Sequence, residues 1–264
     1  MHLENKRLER IGETRKNNQG SYMKIINYKN ANDVDIEFLD NFHYVIRGIR
    51  YRTFDAGSIK NPYYPSVFGV GMIGAKYPSV QNNKQTKEYK AWKSILKRCF
   101  DTKTKEIQPT YKNVTCCDEW LLYENFYEWL HSQENFDKWL NGEKWAIDKD
   151  ILVKGNKVYS PETCCLVPSN VNSLFLKNDA DRGILPIGVC KDIKSGLYIS
   201  SCRNPITRKS EWLGKYGTPL KSFSVYKSRK ESIIKQVAEI EYHKNNITQQ
   251  CYNAMMDYEV TIND

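Results

Sequence analysis

The hydrophobic period of this chain changes at Thr86, and no other feature of the sequence limits the fold as strongly. Before residue 75 the stretches MKIINYK, VDIEFLD and HYVIRGIRYRTF alternate apolar and polar residues, and the turn-forming runs KNAND, DNF and DAGS separate them. That pattern predicts a meander of short strands. From Thr86, KEYKAWKSILKRCF places Tyr89, Trp92, Ile95, Leu96 and Cys99 or Phe100 on one helical face, and DEWLLYENFYEWLHSQ repeats the spacing with Trp120, Leu121, Phe126, Trp129 and Leu130. The spacing predicts two amphipathic helices, joined by a loop over DTKTKEIQPTYKN. Residues 184–245 then read as three short strands with turns at KSG and RNPITRK. A long helical pattern follows, with Pro219 in its first turn. Strands and helices in separate blocks predict an α+β chain. We expect a small β-sheet module over residues 1–75, central helices with a ββα unit over 84–178, a C-terminal three-stranded antiparallel sheet plus helix over 184–245, and a tail over 246–264.

A chain of 264 residues favours two or three units, each with its own core. No run approaches the roughly 18 apolar residues of a membrane span, and the first ten residues are polar and charged, so the reading predicts no membrane partner, no signal peptide and a cytoplasmic protein. The eight cysteines show no secreted disulfide framework. The two Cys-Cys pairs argue against zinc, because adjacent residues of a strand point to opposite faces and zinc ligands come in C-x2-C-like turns. One cysteine of each pair is expected in a core. Residues 69–74, GVGMIG, match the dinucleotide fingerprint letter for letter, but Ala75-Lys76-Tyr77-Pro78 follows, where a helix should open. A loop or irregular strand without a nucleotide cofactor is the expectation.

Residues 147–175, IDKDILVKGNKVYSPETCCLVPSNVNSLF, carry the chemistry. Asp148 and Asp150, at i and i+2, share a strand face. Lys154-Gly155-Asn156-Lys157 reads as a tight turn, VYSPETCCLVP as a second strand, and SNVNSLF as a helix start with Ser169 as N-cap. Strand, turn, strand and helix in about thirty residues can gather a divalent cation that stabilises charge on a phosphate. This order resembles the His-Me finger of the HNH nucleases, and the surrounding YKAWKSILKRCF and CCDEWLLYENFYEWL are similar to a phage-encoded subfamily, whose setting is the bacterial host cell. The resemblance implies Mg²⁺ or another divalent cation held by Asp148, Asp150 and Asn172, with Lys149 at the position of the general base and Thr163 at that of the residue orienting it. The family uses histidine and asparagine there. A lysine is a cation at neutral pH and takes no proton from water, whereas it can face phosphate as a charge. The four histidines, His2, His43, His131 and His243, all lie outside the segment, and only His131 is near it.

Residues 184–245 hold nine lysines and three arginines against five carboxylates, a net +7 of the chain's formal +9. That concentration points to nucleic acid. The elements GVCKD, LYISSCR and WLGKYGT resemble the AP2/ERF-type DNA-binding domain, in which a sheet enters the major groove and a helix packs behind it. Carried onto this chain, the resemblance gives Lys191, Tyr198, Ser200, Arg203, Lys209, Trp212 and Lys215 as candidate DNA contacts, with Arg203 and Arg208 at a turn suited to phosphate. Phe223, Tyr226, Ile233, Ile234 and Val237 are expected to pack against the sheet. The functional expectation is a phage-type binder of double-stranded DNA, related to HNH homing endonucleases and a metal-dependent endonuclease if active. The alternative is a non-catalytic effector that binds DNA or a host protein, as a transcription regulator or an inhibitor of a host defence system.

Overall fold

The structure, a computed structural model, describes residues 9–142, 144–176, 183–262 and 264. The start of the amino-terminal module and the segment boundary near residue 178 lie outside the described residues. The chain is mixed α+β, as its separated periods require. Its contacts divide it into two compact units, Met1–Lys112 with Asp118–Glu128, and Asn113–Cys117 with Trp129–Asp264.

The first unit opens with the expected meander. β1 (Thr14–Lys16), β2 (Tyr22–Asn30), β3 (Asp33–Phe38) and β4 (Val45–Ile49) form an antiparallel sheet in that order. One face buries Met23, Ile25, Val34, Ile36 and Phe38, and Phe54 completes this core. The third predicted strand, HYVIRGIRYRTF, is a strand only as far as Ile49; α1 (Tyr51–Asp55) follows. The backbone amide of Tyr51 donates to the Ala31 carbonyl at 2.8 Å, and its hydroxyl donates to Glu13 at 3.0 Å, which holds the chain in a helical turn that buries Phe54. A turn that buries a single aromatic leaves no periodic signal.

After the small hairpin β5 (Val80–Gln81) and β6 (Lys84–Gln85) comes α2 (Lys87–Phe100), capped by Thr86 Oγ1, which accepts from the Tyr89 amide at 3.2 Å. Its apolar stripe is buried as the spacing predicts, with Trp92 Nε1 donating to the Trp120 carbonyl at 2.6 Å. Asp101 ends α2 and turns its carboxylate onto the Thr104 amide at 3.1 Å, starting α3 (Thr102–Ile107) inside the expected loop. Residues 68–70 turn, Gly71 and Met72 make isolated bridges with Val67 and Leu122, and a Cβ at Gly71 would come within 2.4 Å of Leu96 and 2.9 Å of Trp92. Close packing explains that glycine without a cofactor.

In the second unit β7 (Thr115–Cys116) pairs parallel with β9 (Val158–Tyr159), and β8 (Trp145–Asp148) pairs antiparallel with β10 (Cys165–Pro168). α4 (Tyr123–His131), whose residues up to Glu128 belong to the first unit, and α5 (Phe136–Leu140) precede β8, and α6 (Ser169–Asn172) follows β10. The expected second strand is therefore two short ones, with a turn at residues 161–163 between them. Ser169 is the first residue of α6 and makes no side-chain cap; Pro168 precedes it. The three-stranded sheet β11 (Val189–Lys191), β12 (Tyr198–Asn204) and β13 (Lys209–Tyr216) is followed by α7 (Pro219–His243), with Pro219 in the first turn and Thr218 Oγ1 accepting from the Lys221 amide. α8 (Gln249–Met256) ends the helices.

A core cluster joins β10, α6, β12, α7 and α8 in this unit. Ile151, Cys165, Val167, Val171 and Leu174 meet Cys202 of β12, Tyr226, Ile233, Ile234 and Val237 of α7, and Cys251 and Met255 of α8. Residues 246–264, read as a tail, are thus core-forming. The cysteine pairs also differ from expectation: Cys164 and Cys165 are both buried, and Cys116 and Cys117 both partly exposed. The turn before β10 folds Cys164 inward together with its neighbour, its amide donating to the Ser160 carbonyl at 3.1 Å.

Gly188, at φ +73°, sets the entry to this sheet, and a Cβ there would lie 2.0 Å from the Tyr226 ring. Gly196, at φ +68°, has no atom within 4 Å of its missing Cβ. Gly196→Ala should cost about 1 kcal/mol from backbone strain alone, and Gly188→Ala at least about 2 kcal/mol more, because a buried ring must move. Urea denaturation of the two variants measures the difference.

Candidate functional site

The nuclease-like segment is held by its own polar groups. Asp148 ends β8, and its Oδ1 accepts from the backbone amides of Asp150 at 2.7 Å and Ile151 at 2.9 Å. Asp150 follows the strand instead of sharing its face, which corrects the i, i+2 expectation: the bond to its amide is what turns the chain away from β10. Burial pushes the Asp148 carboxyl above the usual range, against those two amides.

Lys149 is turned inward and only 8 % exposed. Its ammonium pairs with the Asp150 carboxylate, donates to the Asn156 carbonyl at 3.0 Å, and lies 5.9 Å from the centroid of the Tyr159 ring. Asn156, which the sequence reading took only as a turn residue, staples the loop from within. Its Nδ2 donates to the Lys149 carbonyl at 2.8 Å and the Val158 carbonyl at 2.7 Å, and its Oδ1 accepts from the Val158 amide at 3.1 Å. An asparagine just after a glycine in a predicted turn was the available signal for that role. Thr163 Oγ1 donates to the Val158 carbonyl at 2.8 Å and lies 3.1 Å from Ser160 Oγ, so it braces the turn between β9 and β10. Asn172 ends α6 and is partly exposed. In the same helix Asn170 reaches α7, its Nδ2 donating to the buried Glu241 at 3.1 Å. His131, the one histidine near in sequence, packs its ring on Phe136 at 3.8 Å.

These donors fit a divalent cation poorly. One oxygen of Asp148 is committed to two amides, Asp150 is paired with an ammonium, and that ammonium sits where a second positive charge would have to enter. Among the described residues no three His, Cys, Asp or Glu side chains come together as a metal-binding group. What the arrangement does chemically is fix a loop around the buried Lys149 ammonium and its part-exposed partner, Asp150.

The three-stranded sheet is different, because one of its faces is open. Burial along β12 alternates, with Ser200, Cys202 and Asn204 turned to α7 and Arg203 outward. Register sets Ser201 opposite Trp212 and Arg203 opposite Ser210, after a bulge between Ser200 and Ser201. The open face therefore carries Arg203, Trp212, which is 68 % exposed, and Lys215, together with Ser201 and Ser210, which the sequence reading missed. Lys215 pairs with Asp192, whose carboxyl that ammonium and the Ser195 hydroxyl hold at about 2. Ser200 is fully buried and its Oγ has no hydrogen-bond partner among the described residues, so it does not contact DNA from this position. Tyr198 shares its side of the strand and is partly buried, its carbonyl accepting from Ser222 Oγ at 3.4 Å. Lys191 and Lys209 are exposed at the edges, and Arg208 sits in the β12–β13 turn at φ +59°.

The sheet is clamped to α7 from behind. Arg229 Nε and Nη2 donate to the two carboxylate oxygens of Glu211 at 2.6 and 2.9 Å, and Asn204 Nδ2 adds a bond at 2.7 Å. The guanidinium, then the amide, hold the Glu211 carboxyl at about 2.

Asp148→Asn keeps an oxygen for both amides and removes a charge whose burial raises its pKa. A raised folded-state pKa contributes stability at low pH that is lost as pH rises through it. The variant should match the wild type in acid and equal or exceed it at pH 7, while Asp148→Ala, which orphans two amides, loses about 1–3 kcal/mol. Thermal melts of the three proteins between pH 3 and pH 7 test this.

Compared with known proteins, the chain matches no family model, no curated protein and no solved structure.

Proposed function

We propose that the chain is a DNA-binding protein that grips double-stranded DNA with the open face of its three-stranded sheet and works without cutting it. The observation that carries this reading is the division of the sheet into two faces. One is locked to α7 through Glu211 and Arg229; the other presents Arg203, Trp212 and Lys215 with two small hydroxyl residues between them. A sheet that reads a groove needs such a face: long cationic side chains for phosphate and base edges, an aromatic for sugar, and small neighbours that let the backbone come close. The net charge of residues 184–245 supplies the sequence-independent attraction.

The nuclease-like segment supports the non-catalytic half. Where the HNH resemblance places a general base, Lys149 is a buried donor to Asp150 and Asn156. With its hydrogens aimed at acceptors it has no lone pair directed at water. Asp148, Asp150, Thr163 and Asn156 hold a loop instead. On this reading the scaffold of a phage nuclease is retained for its shape.

Binding of a labelled duplex should weaken about tenfold or more in Arg203→Ala and in Trp212→Ala. Ser200→Ala, with its hydroxyl buried on the other face, should bind like the wild type. A flat response of wild-type affinity to salt between 50 and 200 mM would sink the DNA reading. Plasmid incubated with Mg²⁺ or Mn²⁺ should be nicked no faster by the wild type than by Asp148→Ala, and metal-dependent nicking lost in that variant would restore the enzyme.

A further inference from the structure

Cationic side chains also concentrate in a stretch of sequence outside the three-stranded sheet. Residues 84–112 hold eight lysines and one arginine against three carboxylates, a net +6 over 29 positions. All lie in the first unit. On α2 these charges are not scattered. The buried stripe runs through Glu88, Tyr89, Trp92, Ile95, Leu96 and Cys99. At about 100° per residue, Lys90, Lys93 and Lys97 fall on the opposite side, flanked by Lys87 and Arg98. Lys90 and Lys97 are exposed and Lys93 partly so. None of these three has a carboxylate partner among the described residues. Glu88, the acid within α2, lies on the buried stripe, and Asp101, just past the helix, caps α3, accepting from the amide and hydroxyl of Thr104 at 3.1 and 2.5 Å.

The row ends at a concavity of about 380 Å³ lined by Ser94, Lys97, Arg98, Thr104, Gln108 and Tyr111, with Ile107 at its rim. Two cations, two hydroxyls, an amide and a phenol line it, and no carboxylate does. The Arg98 guanidinium lies 5.6 Å from the centroid of the Tyr111 ring.

We propose that the exposed side of α2, with the concavity at its carboxyl end, is a second binding surface for the backbone of double-stranded DNA. Its chemistry selects that partner. Lys90 to Lys97 spans roughly 10 Å at about 1.5 Å per residue, and one DNA strand offers about three phosphates over that length of axis. A rigid straight row of cations matches a stiff duplex. Single strands are held on exposed aromatic platforms, whereas in α2 Tyr89 and Trp92 are buried and only its last residue, Phe100, is partly exposed. A protein partner or a lipid surface would need apolar area at the centre of the patch, and the exposed side of α2 presents lysine and serine.

The inference stands apart from the sheet reading, and one experiment separates them. The full chain is compared with Lys90→Gln/Lys93→Gln/Lys97→Gln and with Arg203→Ala/Trp212→Ala, using a labelled 20-bp DNA duplex, an RNA duplex of equal length, a 20-nucleotide single strand and polyglutamate, each over a salt series. Exposed polar exchanges should leave the thermal midpoint unchanged. The triple variant should bind the DNA duplex less tightly, and its plot of log K against log salt should be shallower by about two to three. An unchanged slope overturns the α2 surface and leaves the sheet reading standing. Loss in the triple variant with none in the sheet variant does the reverse. Stronger wild-type binding to polyglutamate, to the single strand or to RNA than to duplex DNA, lost in the triple variant, also overturns the assignment, since α2 would then serve another polyanion.

Discussion

The second unit depends on the inner side of α7. Tyr226, Ile233, Ile234, Val237 and Ala238 form one wall of a core whose other walls come from β10, α6, β12 and α8. Each fully buried isoleucine or valine there contributes about 1.5–3 kcal/mol, and none of the surrounding elements is large enough to make a core of its own. β8 and β10 are four residues each, and so is α6. Polar contacts fix the registry of these pieces on the helix. Asn170 and Asn246 satisfy buried Glu241, at 3.1 and 2.7 Å, while Lys138 Nζ closes the carboxyl end of α7 through the Asn245 carbonyl at 2.9 Å. Lys227 and Glu231 hold Val260 by its carbonyl at 2.9 Å and its amide at 2.8 Å. Removing α8 or the residues after it would open the same core that positions the nuclease-like segment.

What could be read from the sequence follows from how many residues carry each signal. The stripe of α2 repeats over four turns, and the structure reproduces it residue by residue. The β meander and the three-stranded sheet with its helix were legible for the same reason. Short elements were not: α1 buries only Phe54, and the turn between β9 and β10 interrupts a run of residues that reads as one strand. On the open sheet the error was one of phase. Tyr198 and Ser200 were placed outward, but a period of two assigns them to the side of Cys202, and buried Cys202 fixes that side as inward. The bulge at Ser200 and Ser201 then changes the register with β13, so Trp212 lies opposite Ser201. Burial of Cys202 was the missing fact, and no local pattern supplies it.

Site chemistry was legible only as composition. The spacing of Asp148 and Asp150 gave two carboxylates, but what a carboxylate does depends on which donors reach it, and here those are the amides of the next turn and the ammonium between them. The cationic balance shows the same limit. Residues 184–245 account for +7 of the formal +9, which hides a second positive stretch over residues 84–112, offset by acidic residues elsewhere. Net charge sums over the chain, whereas a polyanion responds to charge within about 10 Å of it.

Lys149 shows what a lysine does at the position where the HNH resemblance expects a base. A base that activates water must meet solvent with a free lone pair, which leaves the loop around it short of one internal tie. A lysine at the same position spans that gap, since its ammonium reaches the Asp150 carboxylate and the Asn156 carbonyl together while its stem stays buried. A pair with a buried ammonium and a carboxylate still 43 % exposed adds little net stability, but it penalises every arrangement that leaves the ammonium buried alone. Its effect is therefore to select a single loop conformation. Asn156 and Asp148 act the same way on the backbone at either end of the loop. The segment has three polar devices for shape, and two of them engage side chains, Lys149 and Asp148, to which the HNH resemblance would give chemical roles.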